Sequence, residues 1–208
     1  MRKFINIGVA GVERRLPLYQ VDEDTFEAVF TVFNDVELTK AAATELLDRV
    51  PAFDCILTEE TQGVPLAYEM TRQAGLPRYI VARKQAKAHM DDVVAMQMEG
   101  TEDVPLDVRK LYLSQEDAAF IKGKRVLLVD DCVLYGSTMY ALNELVEALG
   151  GYTTGKATIM VQEDASLFPD LVSLVSLPVY TADQVADLPM APIGQDRVAD
   201  LDGEADYE

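Results

Sequence analysis

Between residues 55 and 177 short apolar runs alternate with single stretches of helical periodicity, and this alternation constrains the fold more than any other feature. Cys55-Ile56-Leu57 reads as a short buried strand. The polar loop Thr58-Glu59-Glu60-Thr61-Gln62-Gly63 follows it. Pro65 sits where a first helical turn tolerates it and Gly75 where a helix stops, with Leu66, Ala67, Met70 and Ala74 forming one apolar face between them. Tyr79-Ile80-Val81 is the next strand. A basic turn, Lys122 to Arg125, feeds the strand Val126-Leu127-Leu128-Val129; Leu142, Leu145, Val146 and Leu149 mark a helix that Gly150-Gly151 stops. Ala157 to Val161 and Leu171 to Leu177 supply two more strands. Strands alternating with single helices imply right-handed βαβ units, hence an α/β fold with a doubly wound, mainly parallel sheet and helices on both faces.

Upstream, Phe4 to Val9 and Phe26 to Phe33 read as two strands around a polar turn at Asp22 to Asp24. Leu38, Ala42, Leu46 and Val50 then predict a helix ended by Pro51. Residues 84 to 110 carry scattered charge without strong periodicity, which fits either a pair of weak strands or a mobile functional loop.

Charge narrows the chemistry. The 208 residues hold 18 Lys and Arg against 36 Asp and Glu, a net charge of −18. So acidic a chain repels nucleic acid and anionic membrane at long range, so neither is expected as a partner, and an anionic substrate needs a local basic patch or a divalent cation. The acidity is uneven: in the C-terminal tail Asp196, Asp200, Asp202, Glu204, Asp206 and Glu208 face only Arg197. Cys55 and Cys132 sit in apolar runs as structural thiols, and no metal-ligand spacing surrounds the lone histidine, His89, which reads as a surface residue. Neither a secretory leader nor a membrane-length apolar segment is visible, so the expectation is a soluble, cytoplasmic protein.

The chemistry concentrates in Val126-Leu-Leu-Val-Asp130-Asp131-Cys132-Val133-Leu134-Tyr135-Gly136-Ser137-Thr138. Ligands of open α/β sheets bind outside the carboxyl ends of strands. Two adjacent carboxylates there repel each other unless something uses them, such as sugar hydroxyls or a water-bound metal. Gly136-Ser137-Thr138 at a helix start offers backbone N–H groups, a helix dipole and two hydroxyls to an anion. Diol acceptors and a phosphate cradle together describe a ribose 5-phosphate site.

This run resembles the phosphoribosyl diphosphate (PRPP) motif of the type I phosphoribosyltransferase family. Ile56 to Gly63 stands in the place of the family's diphosphate loop. Gly75-Leu76-Pro77 through Val81-Ala82-Arg83-Lys84 and Phe33-Asn34-Asp35 are similar to the adenine-specific branch. The resemblance spans roughly residues 26 to 180 and is strongest from 122 to 151. It implies transfer of the 5-phosphoribosyl group from PRPP to a purine base, adenine first, with release of diphosphate in purine salvage. Xanthine, hypoxanthine or orotate are alternative bases, and a PRPP-binding regulator without turnover is the alternative outside enzymes.

Residue by residue, the resemblance implies that Asp130 and Asp131 hold the ribose hydroxyls, with Asp131 adding electrostatic help to a cationic sugar. Leu134, Tyr135, Gly136, Ser137 and Thr138 wrap the 5-phosphate. Glu60, Thr61, Gln62 and Gly63 lie against the diphosphate, which Arg83, Lys84 and Lys87 neutralise. Val32, Phe33 and Asn34 contact the base. Mg²⁺ arrives on PRPP and through water, with no direct protein ligand. Residues about 87 to 110 form a closing loop in which Glu99 or Glu102 shuttles a proton. Residues 1–36 contribute strands to a small hood, 37–180 form the core, and 181–208 are a C-terminal hood segment and acidic tail; a homodimer is the implied assembly. The sequence departs from the family pattern at Tyr135, Ser137, Gln62 and Asn34.

Overall fold

The computed structural model describes residues 2–88, 90, 92–98, 109–162 and 170–191. The chain divides into two units, Met1–Phe30 with Pro178–Glu208, and Thr31–Leu177.

In the larger unit five parallel strands follow the order β10-β9-β8-β4-β5. These are β4 (Cys55–Glu59), β5 (Ile80–Ala82), β8 (Arg125–Val133), β9 (Tyr152–Gln162) and β10 (Leu171–Leu177). Every residue of β4 is buried, as expected of a central parallel strand covered on both faces. From β4 the chain moves outward to β5, then returns to lay β8 on the other side of β4 and moves outward again through β9 and β10. The reversal creates a topological switch point between β4 and β8.

Helix α1 (Val36–Leu47) and helix α2 (Val64–Gln73) pack on each other and against the sheet. Helix α4 (Ser137–Ala148) packs against β4, β8 and β9. Period-two alternation explains the layering. Cys55 and Leu57 of β4 and Val126 and Leu128 of β8 join Met139, Leu142, Leu145 and Val146 of α4 in one core. Ile56 and Leu127, also fully buried, face the opposite way. Asp35 starts α1 by accepting a hydrogen bond from the Leu38 N–H at 3.1 Å.

The ambiguous stretch from 84 to 110 resolves into strands at its ends. β6 (Val93–Met98) and β7 (Arg109–Ser114) form an antiparallel pair, followed by the short helix α3 (Gln115–Ile121). His89, Glu99 and Glu102, and the acidic tail from Asp196, lie outside the described residues.

The smaller unit is an antiparallel sheet in the order β11-β3-β2-β1-β12. Its strands are β1 (Arg2–Val9), β2 (Val12–Gln20), β3 (Thr25–Ala28), β11 (Val179–Thr181) and β12 (Met190–Ala191), with the short helix α5 (Ala182–Ala186) before β12. Two sequence expectations are corrected here. Val12–Gln20 is a strand that its Glu13-Arg14-Arg15 run and Pro17 concealed. The strand expected over Phe26 to Phe33 stops at Ala28; the Val29 N–H still donates to the Pro17 carbonyl of β2 at 3.0 Å, and Phe30 to Phe33 are outside any strand.

Candidate functional site

Strand β8 outruns its neighbour. It pairs with β4 only through Val126–Leu128, whereas its pairing with β9 continues to Val133. Asp130 and Asp131 therefore lie past the last rung shared with β4, at the mouth of the switch point. Asp131 is 2% exposed and its Oδ2 accepts a hydrogen bond from the Val32 backbone N–H at 3.2 Å. Asp130 Oδ1 accepts from the Asp131 N–H at 2.9 Å. Burial holds both carboxyls well above the ordinary carboxylate range, and for Asp130 the adjacent Asp131 charge is the next contribution. Such a pair is ready to accept hydroxyl hydrogens or to lie near a cation, either of which favours the ionised form.

The loop after β4 closes on the same spot. A Cβ added at Gly63 would stand 2.3 Å from Thr58 Oγ1, 2.9 Å from Asp130 Oδ1 and 3.1 Å from Asp130 Cα, so only glycine lets the loop approach β8 this closely. The Glu60–Thr61 peptide in this loop is cis.

Strand ends fix the charges. The Glu60 N–H donates to the Ala82 carbonyl at 2.8 Å, and Arg83 exchanges two backbone hydrogen bonds of 2.9 Å with Tyr112 of β7. Arg83 Nη1 then donates to Glu60 Oε1 at 3.3 Å, and Lys87 Nζ lies 3.4 Å from the same oxygen. Lys84 Nζ lies 3.7 Å from Glu59 Oε1. The structure thus gathers the predicted basic residues and Glu60 into one cluster, with Glu59, a residue of the expected diphosphate loop to which the sequence assigned no role of its own.

Beyond β8, Gly136 takes a left-handed conformation (φ 74°) and opens α4 without a side-chain cap. The backbone can turn this sharply because glycine has no Cβ. Tyr135 is 64% exposed and Leu134 is exposed beside it.

A cleft of about 620 Å³ opens next to the charge cluster. Val32, Phe33 and Asn34 line it, as do Glu60, Thr61 and Arg83, so the predicted base-contact residues and part of the diphosphate cluster share one cavity. Asp130, Asp131 and residues 134–138 are not among its lining residues. Val32 is 1% exposed and forms a floor, whereas Phe33 and Asn34 are exposed to the opening. Tyr68 of α2 and Tyr79 complete an aromatic wall, their rings 6.2 Å apart at 83°. Sequence reasoning missed both, because Tyr68 becomes a lining residue only when α1 and α2 pack together.

Among the described residues no group of three or more His, Cys, Asp or Glu side chains is placed to hold a metal ion. No described helix is long and apolar enough to cross a membrane.

Residues 38–172 match the phosphoribosyl transferase domain family. The adenine phosphoribosyltransferase of Agathobacter rectalis is 28% identical over 144 residues, covering 66% of this chain and 76% of that protein. That of Ruminiclostridium cellulolyticum is 31% identical over 137 residues, covering 62% and 73%. The solved adenine phosphoribosyltransferase of Thermoanaerobacter pseudethanolicus superposes with a TM-score of 0.57 at 24% identity, over 70% of this chain and 84% of that one. The family match spans the βαβ core, the Gly63 loop and the Asp130–Thr138 segment, and the chain belongs to the phosphoribosyl transferase family.

Proposed function

We propose that this protein transfers the 5-phosphoribosyl group of PRPP to a purine base, adenine first, and releases diphosphate. The observation that supports the reading is the close approach of Gly63 to Asp130 across the β4/β8 switch point, where the reading sets the diphosphate beside the ribose hydroxyls. The naming of the related proteins from A. rectalis and R. cellulolyticum as adenine phosphoribosyltransferases supports adenine as the base.

In this reading Asp130 and Asp131 face the ribose hydroxyls, and the backbone of residues 134–138 with Ser137 and Thr138 holds the 5-phosphate. Glu60 to Gly63 border the diphosphate, and Arg83, Lys84 and Lys87 meet its charge. Phe33 and Asn34 contact the base above Val32. A ring nitrogen of the base attacks the ribose C1; the bond from C1 to the diphosphate oxygen breaks, its electron pair leaves with diphosphate, and the base nitrogen gives up its proton to water. No protein nucleophile enters. The chain contributes alignment and stabilisation of the departing charge.

Mg²⁺ fits the site as a companion of the substrate. The carboxyls of Asp130 and Asp131 are buried together, and Glu59 and Glu60 already hold the three cations, so an incoming diphosphate is best matched when part of its charge is neutralised. Bound with PRPP, Mg²⁺ supplies charge neutralisation on the leaving diphosphate, with the carboxylates reaching it through water. A cytoplasmic homodimer is the assembly that goes with this reading.

The test is diphosphate release from PRPP and Mg²⁺ with adenine, hypoxanthine, guanine, xanthine, orotate or uracil, one at a time. Release with adenine, lost in the Asp130→Asn/Asp131→Asn double variant, is expected. PRPP binding without release for any base would replace the enzyme with a PRPP-sensing regulator.

A further inference from the structure

Phosphoribosyl transfer needs two sites filled together, and the structure contains one buried bond that joins them. Asp131 belongs to the sugar side, at the end of β8. Val32 belongs to the cleft side, outside the span of the family match. The hydrogen bond from the Val32 N–H to Asp131 Oδ2, 3.2 Å long, crosses 99 positions of sequence and lies in the interior.

This bond anchors the whole turn that forms the cleft wall. The Val32 carbonyl accepts from the Asp35 N–H at 3.2 Å, and Asp35 in turn caps α1. Val32 is therefore fixed on both sides, its N–H to β8 and its carbonyl to the helix start. Between those anchors Phe33 and Asn34 are exposed, and Asn34 takes a left-handed conformation (φ 63°) that a free asparagine adopts only in a minority of its population. Removing the acceptor would leave the Val32 N–H buried and unpaired, and the turn would rearrange to recover a partner.

Given the transfer reading above, on which this rests, we propose that Asp131 is a positioning residue for the base: through the Val32 N–H its carboxylate holds the Val32–Asn34 wall in its base-binding arrangement. The sugar and base sites are then coupled through this contact, so that a change at Asp131 is read in base affinity as well as in PRPP affinity.

The experiment compares two variants that differ only in hydrogen-bond acceptance. In Asp131→Asn an amide oxygen can still accept from Val32, whereas in Asp131→Ala nothing can. The KM for the base is expected to rise about ten- to hundredfold in Asp131→Ala and to stay within about threefold of wild type in Asp131→Asn, although both weaken PRPP binding. Replacing the Val32 amide by an ester approaches the same bond from its donor side and leaves Asp131 intact. It should raise the KM for the base while leaving the PRPP dissociation constant unchanged, which a general loss of structure would not do. Thermal melts confirm that each variant is folded, and the ester variant decides the matter if Asp131→Ala is not. An unmoved base KM in the folded variants, in a protein whose wild type turns over, overturns the inference alone. A wild type that releases no diphosphate with any base removes the transfer reading and this inference with it.

Discussion

Gly63→Ala isolates the packing on which the site depends. Gly63 has φ −70° and ψ −14°, a right-handed conformation open to any residue. By backbone entropy alone, alanine there would stabilise the protein by about 0.4–1 kcal/mol. The contacts oppose this. The new Cβ would meet Thr58 Oγ1 at 2.3 Å, Asp130 Oδ1 at 2.9 Å and Asp130 Cα at 3.1 Å, and the last is backbone that cannot rotate away. Thr58 is fully buried, so its side chain has little room to yield. Overpacking of this kind costs about 1–3 kcal/mol, and the net loss is therefore about 1–2 kcal/mol. For a chain of this size that lowers Tm by roughly 2–8 °C. The loop would also withdraw from Asp130, weakening PRPP binding by about tenfold or more. Calorimetry measures both quantities, as a thermal scan and as a titration with PRPP and Mg²⁺. Thr58→Ala/Gly63→Ala removes the closest clash but not those with Asp130, so stability should recover in part and affinity should not. A Gly63→Ala protein with an unchanged or raised Tm and wild-type PRPP affinity would refute the packing argument.

Three further outcomes follow from the charges. Glu69 is buried and accepts two hydrogen bonds from Arg72, at 2.7 and 2.8 Å, which hold its carboxyl down to about 2. A lowered carboxylate contributes stability above the ordinary glutamate range and loses it as pH falls toward its folded value. Denaturation between pH 5 and 2.5 (roughly that window) should show wild type losing about 2 kcal/mol more than Glu69→Gln, a figure reduced for the half-exposed Arg72 partner. Asp130 has the opposite sign: its raised carboxyl is easily accommodated while protonated and destabilises the fold as pH climbs through its folded value. Asp130→Asn should therefore raise Tm relative to wild type at pH 8 more than at pH 5, in paired thermal scans, while PRPP binding falls. Arg83→Ala should weaken PRPP binding about tenfold or more by calorimetry, with little change in Tm because Glu60 keeps Lys87 as a partner.

What the sequence revealed depended on how local each signal was. Leu171 to Leu177 was legible as a strand with its final boundaries, because its signal is local: five aliphatic residues in a run of seven, with only Ser173 and Ser176 between them. The βαβ order and the Asp130–Thr138 segment were legible for the same reason, since strand, acidic pair and helix start are contiguous. Val12–Gln20 was not, because in that half-exposed strand the charged Glu13-Arg14-Arg15 run masks the alternation. The aromatic, β-branched run after Ala28 favours a strand by propensity. The structure instead takes Val32 to Asp131 in a hydrogen bond that no window of sequence contains. The cleft shows the same limit. Phe33 and Asn34 were found through resemblance, whereas Tyr68 and Tyr79 required the packing of two helices and a strand end.

In the proposed reading PRPP lies across the β4/β8 switch point. A crystal structure of the protein with PRPP and Mg²⁺ tests it most directly. Ribose hydroxyls are expected within hydrogen-bonding distance of Asp130, the 5-phosphate on the backbone of residues 134–138, and the diphosphate between the Gly63 loop and Arg83. Density for PRPP elsewhere on the molecule, with these residues untouched, would contradict it.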